Sequence, residues 1–192
     1  MPRRRLLLLV VPGLTLCLAA FFFFFQNRGE APRELKDISV PPETASAAGE
    51  DETRTVVLYF LSDQDGLLHP EQRTIPAGPA VEWEARRLIE ELIKGSRTGL
   101  ISPLPPESEL RQVFMIRGGT AVVDFSKEFA DRHPSGSTAE MTTIYCLVNS
   151  LTRNFSAIKQ VFFLVNGNER ETLNGHISLA KPFLPLRSLI AE

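Results

Sequence analysis

The sequence predicts an α+β domain in which two helices lie on one face of a small, mainly antiparallel sheet, with one transmembrane helix ahead of it. Three observations carry this reading. Two segments place apolar residues at helical spacing. The runs around them are short, β-branched and punctuated by turn residues. An uncharged apolar stretch of 20 residues stands near the start of the chain.

That stretch runs from Leu6 to Phe25. As a helix it would be about 30 Å long, the thickness of a bilayer's hydrocarbon core. Arg3, Arg4 and Arg5 precede it, so residues 1–5 read as a cytoplasmic basic tail and 6–25 as an anchor with the C-terminus outside the cytoplasm. Two other readings stay open. A cleaved signal peptide would need an A-x-A-like site, but Phe21 to Phe25 follow Ala19-Ala20. A lipoprotein would need a small residue before Cys17, where Leu16 stands.

Residues 26–53 are polar, lack periodicity and contain Pro32, Pro41, Pro42 and Glu50-Asp51-Glu52. They read as a disordered linker with a reach on the order of 30 Å. Residues 54–192 form the domain. Thr55 to Leu61 is β-branched and aromatic, a strand; Asp63-Gln64-Asp65-Gly66 is a turn; Gln72 to Ile75 is a short second strand. Gly78-Pro79 opens a helix with proline at its first position. Its stripe is Val81, Ala85, Leu88, Ile89, Leu92 and Ile93, and Gly95 ends it. Gly99 to Pro106 is a rigid loop. Leu110 to Arg117 and Thr120 to Phe125 flank Gly118-Gly119 as a two-residue hairpin. Ser137-Thr138-Ala139-Glu140 is a capping box, followed by the stripe Met141, Ile144, Tyr145, Val148, Leu151 and Phe155. Gln160 to Val165 is a strand closed by Asn166-Gly167, and a last short strand is expected near Glu171 to Leu173. No internal repeat is evident.

The charge balance excludes some functions. The chain carries −2, and without the three leading arginines its 18 basic and 23 acidic residues leave −5. A nucleic-acid domain would need a basic face for phosphates. The two cysteines lie in different segments, Cys17 in the apolar run and Cys146 in the domain, so an intramolecular disulfide is not expected. Cys146 reads as a small buried residue. No spacing of Cys and His suggests zinc.

Candidate chemistry is sparse. His69, His133 and His176 all fall in expected loops beside proline or glycine, in solvent or capping roles rather than catalytic ones. Asp124 and several serines are available for a triad, but there is no Gly-x-Ser-x-Gly elbow. Asp63-x-Asp65-Gly66 resembles the start of a calcium loop, yet it lacks a third oxygen donor, and Glu71 falls one position short. A turn is the simpler reading. Gly118-Gly119 joins two strands and lacks a phosphate-loop pattern. Asp124 and Ser126 are expected to cap the turn at Lys127 to Phe129. Trp83 lies off the centre of its stripe, either a core edge or a partner contact. No catalytic, cofactor or metal residue is assigned.

With these elements in order, the chain resembles the GerMN domain, the module named after the spore-germination protein GerM. The residues that carry the resemblance begin with Val56-Val57-Leu58-Tyr59-Phe60, Gly66-Leu67-Leu68 and Pro70-Glu71. They continue with Leu92-Ile93-Lys94-Gly95, Gly99-Leu100, Leu104-Pro105 and Gly119-Thr120-Ala121-Val122-Val123-Asp124-Phe125-Ser126. Gly136-Ser137 with Glu140 and Val165-Asn166-Gly167 complete the set, over about residues 54 to 183. The resemblance implies an extracytoplasmic, membrane- or lipid-anchored domain similar to the αββαβ ring-building motifs. The family often carries two such domains where this chain has room for one, so the module is carried over and the sporulation pathway is not.

The expected function is a non-enzymatic interaction or assembly module of the bacterial cell envelope, on the periplasmic or outer face of the cytoplasmic membrane. Its expected partners are extracytoplasmic proteins or a second copy, together with the membrane through the N-terminal helix, and no nucleic acid. The alternative is a small-ligand or cell-wall-fragment binding module, and a third reading is an unrecognised hydrolase. An exposed strand edge, at Thr55 to Leu61 or near Glu171, is the expected docking element.

Overall fold

The computed structural model describes residues 52–191. The expected basic tail, the anchor at 6–25 and nearly all of the linker lie outside the described residues. Among the described residues no helix is long and apolar enough to cross a membrane.

Nine β-branched, aromatic and polar residues form β1, Thr53–Leu61, and nine more form β2, Leu68–Pro76. They pair antiparallel from Thr53↔Pro76 to Leu61↔Leu68. The second strand is thus longer than Gln72 to Ile75. Leu68, Glu71, Arg73 and Ile75 turn inward, and two of these are charged, which hid the alternation from a purely apolar reading.

Helix α1 spans Val81–Ile93 with Ala80 at its N-cap. Pro79 therefore precedes the cap instead of taking the first helical position. The stripe is as expected: Ala85, Leu88, Ile89 and Leu92 are fully buried, and Val81 and Ile93 pack at the edge of the core. Strands β3, Leu110–Ile116, and β4, Thr120–Phe125, form an antiparallel hairpin. Its loop has three residues, Arg117 to Gly119, not two. Gly119 has φ +77°, and a Cβ there would fall 2.9 Å from the Ala157 carbonyl oxygen. That carbonyl is backbone and cannot yield, so only glycine fits.

A one-turn helix α2, Glu128–Asp131, leads to α3, Ser137–Asn154. The chain then returns as β5, Gln160–Val165, which lies parallel to β4. Parallel pairing requires such a helical crossover. The expected strand near Glu171 is absent among the described residues, where only the isolated bridge Thr172↔Ser178 is found. A 3-10 turn at Arg187–Leu189 lies near the end of the described chain.

The sheet is divided, which corrects the expectation of one sheet with both helices on one face. β1-β2 is one sheet and β3-β4-β5 another. Helix α1 packs on β1, β2 and β3, and α3 packs on β1 and β5, so each helix serves both sheets. Stacked Phe125 and Phe129, 4.2 Å between ring centroids, sit in the shared core with Phe163 and Leu147. The division has a physical cause: the free side of β1 is already occupied. Helix α3 presents Cys146, Ser150 and Asn154 at spacings of four, on one face. Asn154 accepts from the Val57 N–H at 2.9 Å and donates to the Val57 carbonyl at 2.7 Å. Ser150 Oγ accepts from the Tyr59 N–H at 3.0 Å, and the Cys146 thiol donates to the Tyr59 carbonyl at 2.9 Å. Leu61 exchanges backbone bonds with Ile101 at 3.0 and 2.8 Å. No further strand can join that edge.

Candidate functional site

Ionisable residues inside a fold are candidates for chemistry when they have unused hydrogen-bonding capacity. Glu71 is 5% exposed. It accepts from Ser96 Oγ at 2.6 Å, Thr98 Oγ1 at 2.8 Å, the Arg97 N–H at 3.1 Å and Arg73 Nε at 2.6 Å. Burial alone would raise its carboxyl. The donors from Ser96, Thr98, Arg73 and Arg97 outweigh it and lower the pKa to about 2. Glu71 is therefore no calcium ligand of the Asp63–Gly66 turn; it ties the loop after α1 to β2.

Glu140 is fully buried. It caps nothing, and no side chain caps α3 at Gly136, which corrects the capping box. Its carboxylate instead accepts from the Ile177 N–H at 2.7 Å, the His176 N–H at 3.2 Å and the His176 ring at 2.8 Å. Burial raises its pKa, but these backbone and ring donors prevail and the net direction is down. His176 is the half-exposed partner of this carboxylate.

The other candidates are also tied. His69 sits in β2 rather than in a loop, 2.8 Å from Asp65. Asp65 also accepts from the Leu67 N–H at 3.0 Å, which with His69 lowers its pKa and makes the segment a turn. His133 is buried, not solvated. Its ring bonds Thr143 Oγ1 and the Pro134 carbonyl, both at 2.8 Å, and burial lowers its pKa. Asp124 does not cap the turn at Lys127. It accepts from the Gly167 N–H at 2.8 Å and pairs with Arg111 at 3.1 Å, fixing the Asn166-Gly167 turn. Ser126 Oγ accepts from the Glu109 N–H at 3.2 Å. Cys146 is buried, and burial pushes its thiol pKa up. Trp83 is half-buried outside the core cluster: Arg87 lies 4.9 Å from its ring centroid, and a Cβ on Gly78 would fall 2.2 Å from the ring. The structure brings Glu140 and His176 together, with His133 nearby through Asn174, which donates to the His133 carbonyl at 2.8 Å. It does not bring His69 to them.

What remains unused is backbone. β3 is the outer strand of its sheet. Arg86 donates to the Leu110 and Arg111 carbonyls at 3.4 and 2.9 Å, covering the start of the edge. From Gln112 to Ile116 no backbone bond beyond β4 occurs among the described residues. Ile116 is 49% exposed, and Phe114 and Met115 are half-buried. β5, the opposite outer strand of this sheet, exchanges backbone bonds with Phe183 through Val161 at 3.0 and 2.8 Å and donates from the Val165 N–H to the Asn168 carbonyl at 2.9 Å, and β2 is guarded by Pro70 and Pro76 and by the Ala191 N–H bonded to the Leu68 carbonyl. The sequence pattern of β3 gave no sign of this, because which strand is left outermost depends on long-range pairing.

The family described as "Germane: Sporulation and spore germination" matches residues 57–171. No curated protein sequence matches. The first GerMN domain of the sporulation protein GerM from Bacillus subtilis is 25% identical, over 69% of this chain and 97% of that one, with a TM-score of 0.53. The tandem GerMN domains of the same protein are 22% identical, over 71% of this chain and 47% of that one, with a TM-score of 0.54. This chain thus spans about half of the tandem pair. A protein from Clostridium perfringens, whose name assigns it as a lipoprotein, is 24% identical over 69% of this chain and 87% of that one, with a TM-score of 0.50. The last two show a shared fold.

Proposed function

Because the chain belongs to the Germane family of sporulation and spore germination proteins and carries a GerMN-type domain, we propose that it is a non-enzymatic docking module of the bacterial envelope. An N-terminal anchor at residues 6–25 would hold it on the extracytoplasmic face. The names of the similar structures, a lipoprotein and a sporulation protein, support an envelope setting.

The observation that carries docking is the β3 edge. It offers open backbone groups beside Phe114, Met115 and Ile116, whereas the buried ionisable groups described above are spent on structure. An extended partner segment would add as a fourth strand, with main-chain bonds giving affinity and the apolar residues giving specificity. A second copy is the poorer occupant. Antiparallel self-pairing centred on Phe114 would set Arg111 against Arg117, and like charges directly opposite are destabilising. The favoured partner strand is one with acidic ends.

The test uses the full-length protein in intact cells. Phe114→Lys with Ile116→Lys should abolish the adducts formed by a short chemical crosslinker while the protein stays folded and abundant. Unchanged adducts from the double variant would remove β3 as the docking strand.

A further inference from the structure

A cleft of about 480 Å³ lies between the second half of α3 and the C-terminal segment. It is lined by Tyr59 of β1, by Asn149, Thr152 and Arg153 of α3, and by Arg187 and Ile190. This is within the size range of small-ligand sites. Among the described residues neither Arg153 nor Arg187 has a carboxylate within ion-pair distance. Among the described residues no acidic side chain lines the cleft. In the groove beside Trp83, by contrast, Arg87 is paired with Glu90 at 2.8 Å, and Glu52 and Glu91 stand alongside.

Two further observations mark the cleft as a built site. Asn149 is 2% exposed and clamps the Leu186 backbone, donating to its carbonyl at 3.1 Å and accepting from its N–H at 2.9 Å. That clamp holds the backbone next to Arg187 at the wall of the cleft. The Tyr59 ring packs into the core and its backbone is taken by Ser150 and Cys146, while its hydroxyl reaches the cleft wall and bonds no other described residue, which leaves it free to donate to a ligand. Thr152 Oγ1 already donates to the Val148 carbonyl at 2.7 Å, so it can only accept from a ligand.

We propose that this cleft binds the oxyanion of a small hydroxylated ligand, such as a phosphorylated or carboxylated polyol or sugar. The guanidiniums of Arg153 and Arg187 supply planar forks for a phosphate or carboxylate. The Tyr59 hydroxyl is a third donor, and Thr152 Oγ1 accepts from a ligand hydroxyl. The site lies apart from β3 and does not depend on the docking reading.

The test is a nitrogen-15 NMR titration of the full-length protein in detergent micelles with inorganic phosphate, glycerol 3-phosphate and acetate. The Arg153 and Arg187 side-chain signals should shift saturably while the Trp83 indole signal stays fixed. Arg153→Gln and Arg187→Gln should each weaken binding about tenfold, the loss expected for one charge-assisted contact, and Tyr59→Phe severalfold. Both arginines are exposed, so the variants keep the fold, checked by unchanged amide signals elsewhere. Saturation by the phosphates alone identifies a phosphate ligand, and saturation by acetate alone a carboxylate; either supports the site. Shifts that never saturate, or equal affinity in the double arginine variant, overturn it.

Discussion

Glu71 has its acceptor positions filled by side chains and backbone of the loop after α1 and by Arg73 of its own strand. Its pKa in the fold, about 2, lies below the ordinary 4.5, so the folded state favours the carboxylate. The stabilisation is fully present above pH 4.5 and is lost as pH falls through 2. The separation corresponds to about 3 kcal/mol. Urea unfolding of the parent and of Glu71→Gln should therefore show a stability gap at pH 6 that closes towards pH 2. A gap of the same size at both would show that the cage is not ionic. Neither Glu71 nor Glu140 was legible in the sequence as a tie. Each had a plausible local role, a metal loop for one and a helix cap for the other. Apart from Arg73, their donors lie 25 or more residues away, in segments that no periodicity connects to them. Trp83 was half legible: its offset from the stripe set it apart from the core residues, but the Gly78 contact depends on a turn that proline only hinted at.

At the level of elements, the buried stripe of α1, though not its start at Pro79, and β5 were read correctly because each has a single buried face, and a single face leaves a clean period. Helix α3 was legible as a helix but not as a hub. It is buried on most sides, and its polar inward residues are ties: Glu140 to His176 and Ile177, Thr143 to the Pro103 carbonyl at 2.7 Å, Asn149 to Leu186, and three residues to β1. Polar residues facing inward look like a solvent face in a sequence, which is why β1 was expected to be an open edge. The ties make a direct prediction for hydrogen exchange. The Val57 and Tyr59 amides should exchange slowly in the parent and much faster in Asn154→Ala and Ser150→Ala respectively, with stability falling by about 1 kcal/mol for each lost bond. Slow exchange retained at both amides would mean that water or another segment covers the edge instead.

For the whole molecule, the proposal joins an N-terminal anchor, a linker and one GerMN-type domain. The composition of residues 1–53 carries the first two parts. In that proposal Arg3, Arg4 and Arg5 ahead of an uncharged span would set the orientation, so alkaline phosphatase fused to the C-terminus of the full chain should be active. An inactive phosphatase with an active cytoplasmic reporter would place the domain on the other side of the membrane. The order of helices and strands from 79 to 165 was legible because each local signal was strong. The division into two sheets was not, since it depends on α3 reaching β1 across about a hundred residues of chain. That division decides which edge is left open.

The central claim is that the open edge is β3 and that a partner strand docks there. A photo-crosslinking residue placed at Gln112 or Ile116 of the full-length protein in intact cells tests it most directly, with the exposed turn residue Asp63 as the control position. Discrete adducts from 112 and 116, lost when Phe114 is also changed to lysine, and none from 63, are the predicted result. Adducts from 63 alone, or none from either β3 position, would contradict it.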